Sequence, residues 1–414
     1  MTSSAADPGT APRRLSDTLY SDMLLPPETI EIRNEARAFA DRVLRPIAHE
    51  LNCTPERADA FRFDVFKAIA DAGLYEIPYG KDVGGRGLTY PTLGTLVVTE
   101  ELAYYSPGIA SAMYDAQAIL VGGTLNSAGG TLRREFLPRI VRGEFVASFA
   151  TSEPEASTDL SPAAIRTVAT RAQGGWTLNG VKRWITNSPA AEFVVLLCRT
   201  GDQLSMMLAN MRDPGVKVSA PDLKMGNHPQ LTADITFTNV FVPDEHVVGA
   251  VGGGLRVALS SLMLGRMGIG AVGVGMGQRA MDVATDYIQH RKVYGRPIAS
   301  FQHWQFRFAE LATELETARS LYLKGAYVQD RGGDASILAS MAKVKGSETA
   351  VDIARQAIQA CGAYGFARHI SGSNEKWPLE AIYRDAKIGE IYEGANEIQK
   401  WIVARQIFGR TITG

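Results

Sequence analysis

Six glycines, Gly265, Gly268, Gly270, Gly273, Gly275 and Gly277, crowd a segment whose apolar residues otherwise follow a helical pattern. Each costs a helix about 0.8–1 kcal/mol relative to alanine. A helix that keeps six of them must lie where side chains do not fit, against another backbone or a ligand. The rest of the chain has to supply that neighbour. Phe301, Trp304, Phe308, Leu311, Leu315, Ala318 and Tyr322 follow a 3–4 spacing that predicts a second helix with an apolar stripe. The Ala-rich segment 336–361 predicts a third, stopped at Gly362.

Upstream the period changes twice. From Pro27 to Gly143 it is helical: Ile30, Ile32, Ala36, Ala40 and Val43 recur at helical intervals until Pro46, and Leu93, Val97 and Leu102 mark another helix beyond the glycine-rich loop 81–87. Between Glu144 and Gly249 it becomes that of strands. Phe193–Cys198 reads as a buried strand, and Ile235, Phe237 and the run to Val242 alternate as a half-buried one. Asn179-Gly180, between two apolar-containing runs, predicts a hairpin turn. The expected organisation is α+β: a tail at 1–24, helices over 25–145, a β domain over 146–251, and a four-helix-like bundle over 252–414.

Lys and Arg number 43 against 44 Asp and Glu, a balance that argues against a nucleic-acid or membrane-surface protein. No apolar run reads as a membrane span. Cys53, Cys198 and Cys361 lie far apart and odd in number, which points to a reducing, cytoplasmic setting rather than a disulfide framework. The six histidines form no ligand pair, so no metal site is expected. The first 24 residues, rich in Ser, Ala, Pro and Thr, predict a disordered tail.

Four segments carry chemistry. They are Phe149-Ala-Thr-Ser-Glu-Pro-Glu-Ala-Ser-Thr-Asp159 with Trp184-Ile-Thr-Asn187; Arg291-Lys-Val-Tyr294-Gly295-Arg296 with Phe301-Gln302; Gln359-Ala-Cys-Gly362-Ala-Tyr-Gly365; and Tyr383-Arg-Asp-Ala-Lys-Ile-Gly-Glu-Ile-Tyr392-Glu393-Gly394-Ala-Asn-Glu397-Ile-Gln399. Together, from about Leu25 to Gly409, they resemble the acyl-CoA dehydrogenase family. That resemblance implies helical, β-barrel or sandwich, and four-helix-bundle domains around FAD. It also implies α,β-dehydrogenation of an acyl thioester.

By position in the family's motifs, Ser152, Thr158, Trp184 and Thr186 would hold the flavin ring. A flat indole suits a flat ring, and small hydroxyls suit its polar edge. Arg291, Tyr294, Gln302, Gln359 and Gly362 would reach a cofactor across a subunit interface, where the planar guanidinium fork suits a diphosphate. Ala395 and Glu397 fall on the cofactor side of the last motif. Ser157, Met263, Arg266, Tyr392, Gly394 and Arg405 fall on the substrate side.

Glu393 precedes the motif's glycine, where the short- and medium-chain branches keep their catalytic base. Other branches place the base on the glycine-rich helix, immediately before an arginine. Here that position is Gly265, before Arg266. Burial raises a carboxyl pKa toward the 6–7 suited to removing a weakly acidic α-proton.

The sequence departs from the family at Ser157 and Ala395, where Gly and Thr are usual, and at Met263, where short-chain relatives often have Asp. It also has an extended stretch at 367–376, read as an altered loop facing substrate or a partner. These departures leave open a substrate on an acyl carrier protein instead of CoA, or a flavin oxidase on the same scaffold. The resemblance further implies an electron-transfer flavoprotein as electron acceptor, and a homo-oligomer, dimer or tetramer.

Overall fold

The computed structural model describes residues 14–20, 25–156 and 158–414. Helices come first, with α1 at Pro27–Phe39, α2 at Pro91–Ala103 and a π-helical segment at Ala110–Val121. The strands follow: β1 Ala147–Ala150, β2 Val168–Ala172, β3 Gly175–Thr186, β4 Phe193–Thr200, β5 Gln203–Asn210, β6 Val216–Val218, β7 Thr232–Pro243 and β8 Val247–Val248. They form one sheet in the order β6-β7-β3-β2-β4-β5-β8, with β1 parallel to β4. Helices then return as α3 Gly254–His290, α4 Gln302–Asp330, α5 Ser336–Cys361, α6 Leu379–Ala386 and α7 Asn396–Phe408.

The glycine-rich helix is α3, and its neighbours are backbones. A β-carbon on Gly273 would stand 2.4 Å from the Gly346 carbonyl oxygen on α5, and one on Gly275 would stand 2.3 Å from that of Glu100 on α2. Around this contact Met267, Val272, Leu311, Leu315, Tyr322 and Ile353 are buried in a core shared by the first and last helices. Each such side chain contributes about 1.5–3 kcal/mol by leaving water. By length and composition α3 could cross a bilayer, contrary to the reading that no run reaches that length, but 72% of its most apolar stretch is buried inside the fold.

Two further expectations are corrected. Asn179-Gly180 is not a hairpin turn. β3 runs straight through it with a register shift, Gly180 takes φ +149°, and a β-carbon there would stand 2.5 Å from Thr167 Cα. The β2–β3 turn falls instead at Gln173-Gly174, where Gly174 takes φ +72°. Of the tail expected over 1–24, residues 1–13 and 21–24 lie outside the described residues, and 14–20 do not behave as a tail. Arg14 is buried, donates to Glu101 and lies 3.7 Å from the centre of the Tyr104 ring, while Leu15 N donates to Asp282 at 3.1 Å. A guanidinium that finds a buried carboxylate anchors the segment that carries it. The stretch 367–376 folds as a small exposed hairpin, His369–Ile370 against Glu375–Lys376.

Candidate active site

Glu393 stands in the short loop between α6 and α7 with φ +54°, in the left-handed region. A non-glycine residue held there costs about 1–3 kcal/mol, and such strain gathers where function over-determines the backbone. The loop is tied on both sides. Gln399 Nε2 donates to the Gly394 carbonyl at 3.1 Å, and Lys343 Nζ on α5 donates to Asn396 Oδ1 at 2.8 Å.

The carboxylate of Glu393 rests on α3, and a β-carbon on Gly265 would stand 2.0 Å from its Oε2. The position that the sequence left vacant is therefore the seat of the carboxylate supplied from the other motif. Oε2 is buried and has no hydrogen-bond donor among the described residues. Burial raises the Glu393 carboxyl from 4.5 to about 7, against the pull of Arg266 and Lys343. Burial also brings Lys343 down to about 8, with Glu393 opposing. Arg266 is pulled down by burial, and its Nε is buried without an acceptor among the described residues.

Sequence reasoning missed Asp115. It lies in the π-helical segment, wholly buried, with neither carboxyl oxygen bonded among the described residues. A β-carbon on Gly268, one turn from Gly265, would stand 1.9 Å from its Oδ1. A lone acid in an otherwise uncharged, apolar run was the available signal.

Trp184 sits at a register shift of β3, with φ +60° and 60% of its surface exposed. Thr186, two residues on, accepts from Gln230 Nε2 at 2.9 Å through Oγ1. Gln230 opens a buried polar chain. Its Oε1 accepts from Ser111 Oγ at 3.4 Å and from Asn227 Nδ2, and Asn227 N donates to Asp385. Burial drives the Tyr392 hydroxyl, close to Ser111, far upward. The sheet end at Thr186 is thus joined to α6, the helix that leads into the loop of Glu393.

The remaining candidates divide. Ser152, half-buried, accepts from Arg183 N at 3.0 Å through its carbonyl, and Thr158 is exposed in the same loop. Ser157 lies outside the described residues. Met263 Sδ meets Ser336 Oγ at 3.7 Å, and Arg405 stacks 4.3 Å from the centre of the Trp401 ring. Ala395 caps α7 and Glu397 is exposed in its first turn. Arg291, Tyr294, Gln302, Gln359 and Gly362 form a separate, exposed group at the other end of the bundle. Arg291 lies about 39 Å from Gly265 along α3 at 1.5 Å per residue. One chain does not bring that group to Glu393.

Three family models match in order: the N-terminal domain of acyl-CoA dehydrogenase over residues 26–144, the middle domain over 148–240 and the C-terminal domain over 252–408. An acyl-CoA dehydrogenase of Bacillus subtilis (strain 168) is 31% identical over 93% of this chain and 99% of its own length. The chain belongs to the acyl-CoA dehydrogenase family.

Among other members, the mitochondrial short-chain specific acyl-CoA dehydrogenase of Mus musculus is 31% identical over 95% of this chain and 92% of its own. The solved butyryl-CoA dehydrogenase of Megasphaera elsdenii superposes with a TM-score of 0.86 at 27% identity, covering 94% of this chain and all of that one. The fold of this acyl-CoA dehydrogenase family member is the family's three-domain fold, a helical domain, a sheet and a helical bundle.

The residues present fit a flavin. Trp184 offers a flat apolar face in a strained backbone, and space is open around Gly362, where an added β-carbon would meet nothing within 4 Å. Among the described residues no cluster of His, Cys, Asp and Glu could hold a metal.

Proposed function

We propose that this protein desaturates an acyl-CoA between Cα and Cβ, with Glu393 removing the α-proton. The observation that carries this reading is the seat of Glu393: a largely desolvated carboxylate, placed by a strained loop on the bare backbone of Gly265, with its pKa raised to about 7. Such a group is ionised in a useful fraction at neutral pH and is basic enough for a weak carbon acid. FAD, when bound, supplies the hydride acceptor.

Ser152, Thr158, Trp184 and Thr186 would hold its ring, with Ala395 and Glu397 bordering it. Arg291, Tyr294, Gln302, Gln359 and Gly362 would hold the diphosphate side of the cofactor of a second copy. Their exposure and distance from Glu393 support a homo-oligomer. Met263, Arg266, Tyr392, Gly394 and Arg405, with Ser157, would line the thioester path. Gly394, at φ +91°, has no side chain to hold substrate off the backbone. An electron-transfer flavoprotein is the proposed electron acceptor and the cytoplasm the proposed location.

Anaerobic bleaching of the bound flavin by acyl-CoA tests the reading. Glu393→Gln keeps the volume and removes the base. It should retain flavin and slow bleaching by about 10²–10⁴-fold. Unchanged bleaching in that variant would remove Glu393 from the chemistry, and bleaching only by a carrier-tethered acyl group would replace CoA as the carrier.

A further inference from the structure

Asp115 is the one charged residue of the segment Ala110–Val121, every residue of which is buried. It packs on the same face of α3 as Glu393, one turn along: Gly268 makes room for Asp115 as Gly265 does for Glu393. Residues three apart on a helix put their β-positions about 5–6 Å from each other, so the two carboxyls meet over the bare stretch between the glycines. Three oxygens there, Glu393 Oε2 and both of Asp115, are buried without a donor among the described residues. Three orphaned acceptors in one place lack a proton. Two ionised carboxylates would repel at close range in a dry site, whereas one shared proton turns repulsion into a charge-assisted hydrogen bond.

We infer that Asp115 is the positioning residue of the base: it carries the shared proton and donates it to Oε2 of Glu393, leaving the other oxygen to face the acyl Cα. This deepens the reading of Glu393 as base and rests on it. Asp115 is fully buried, and it meets Glu393 across the bare backbone of α3. Which of the two keeps the proton follows from their surroundings. Arg266 from α3 and Lys343 from α5 favour the ionised form of Glu393, while no cation opposes the desolvation that drives Asp115 well above the carboxylate range. Tyr392 also faces the pair, neutral by burial.

The pH profile of anaerobic flavin reduction in two variants tests the assignment. Asp115→Asn replaces one hydrogen-bond donor by another and should leave the ascending limb within about 0.3 pH unit of wild type. Asp115→Ala removes the donor and should move the limb up by about one unit, with the rate recovered at higher pH. A merely structural residue would change stability and leave the limb in place. If both variants move the limb down, Asp115 is an ionised, repelling neighbour and the assignment fails; it fails equally if neither moves.

A second measurement needs neither turnover nor a folded alanine variant. The infrared carbonyl stretch of a protonated, buried carboxyl should persist at about pH 8, above the Glu393 titration, and vanish in Asp115→Asn. Its absence from wild type overturns the proposal. Should Glu393→Gln bleach flavin normally while the band is present, the base reading falls and the Asp115 proton stands.

Discussion

Oε2 of Glu393 occupies the space of the missing side chain at Gly265, 2.0 Å from where a β-carbon would be. Gly265→Ala therefore pushes directly on the base. The variant should fold, with about 1–3 kcal/mol of overpacking cost, and bleach its flavin at least about tenfold more slowly, because a displacement near 1 Å at a reacting group has that scale of effect. Stopped-flow reduction alongside thermal melting checks it. A lower melting temperature with an unaltered rate would show that Glu393 has room to move aside.

Lys343 acts on the same loop from α5, through Asn396 and as a positive charge near Glu393. Lys343→Met removes both. Without that cation the Glu393 carboxyl titrates above about 7, so the ascending limb of activity should move to higher pH. The burden of a desolvated ammonium is also lifted, and Asn396 Oδ1 loses its strongest donor, at about 1–3 kcal/mol. A limb that stays in place would show that Arg266 alone sets the charge balance.

Stability should follow the base as well. The folded value for Glu393, about 7, is above the ordinary 4.5. Between these values the native state holds a proton that the unfolded chain has released, so this group's contribution to stability declines as pH rises through that window. Glu393→Gln does not titrate. The melting temperature of Glu393→Gln relative to wild type should climb from about pH 4.5 to about 7 and then level off, as differential scanning calorimetry will read. A constant difference would mean that Glu393 titrates normally.

Arg291 stands far from Glu393 on its own chain, which separates cofactor retention from base strength. Arg291→Ala should lose FAD on gel filtration and raise its dissociation constant by about tenfold or more, the scale of a charge-assisted contact. The flavin that remains bound should show an unmoved pH limb. Hybrids of Arg291→Ala with Trp184→Ala protomers should recover some fully held flavin if the two residues serve one site from different chains, and none if they serve it from the same chain.

Much of this was legible in the residues. The six glycines of α3 announced close approach, and the structure supplies backbones at Gly273 and Gly275 and carboxyls at Gly265 and Gly268. The Tyr-Glu-Gly segment marked the loop that carries Glu393. Asp115 and Lys343 stayed hidden because a period reads only apolar spacing. A buried charge among alanines looks like noise until its partner, some 50 to 280 positions away, is seen beside it. Asn179-Gly180 misled for a related reason. The pair favours a turn locally, but pairing of β3 with β7 across the whole strand outweighs that preference and uses Gly180 as a bulge. The docking of Arg14 on Glu101 was equally non-local.

The seam of Gly273 against Gly346 has a consequence for how such an enzyme can change over time. Where two main chains touch, no side chain remains to trim or swap, and any replacement on either helix only wedges them apart. New acyl preferences must therefore arise on walls other than this one, while the platform beneath the base stays at a fixed height.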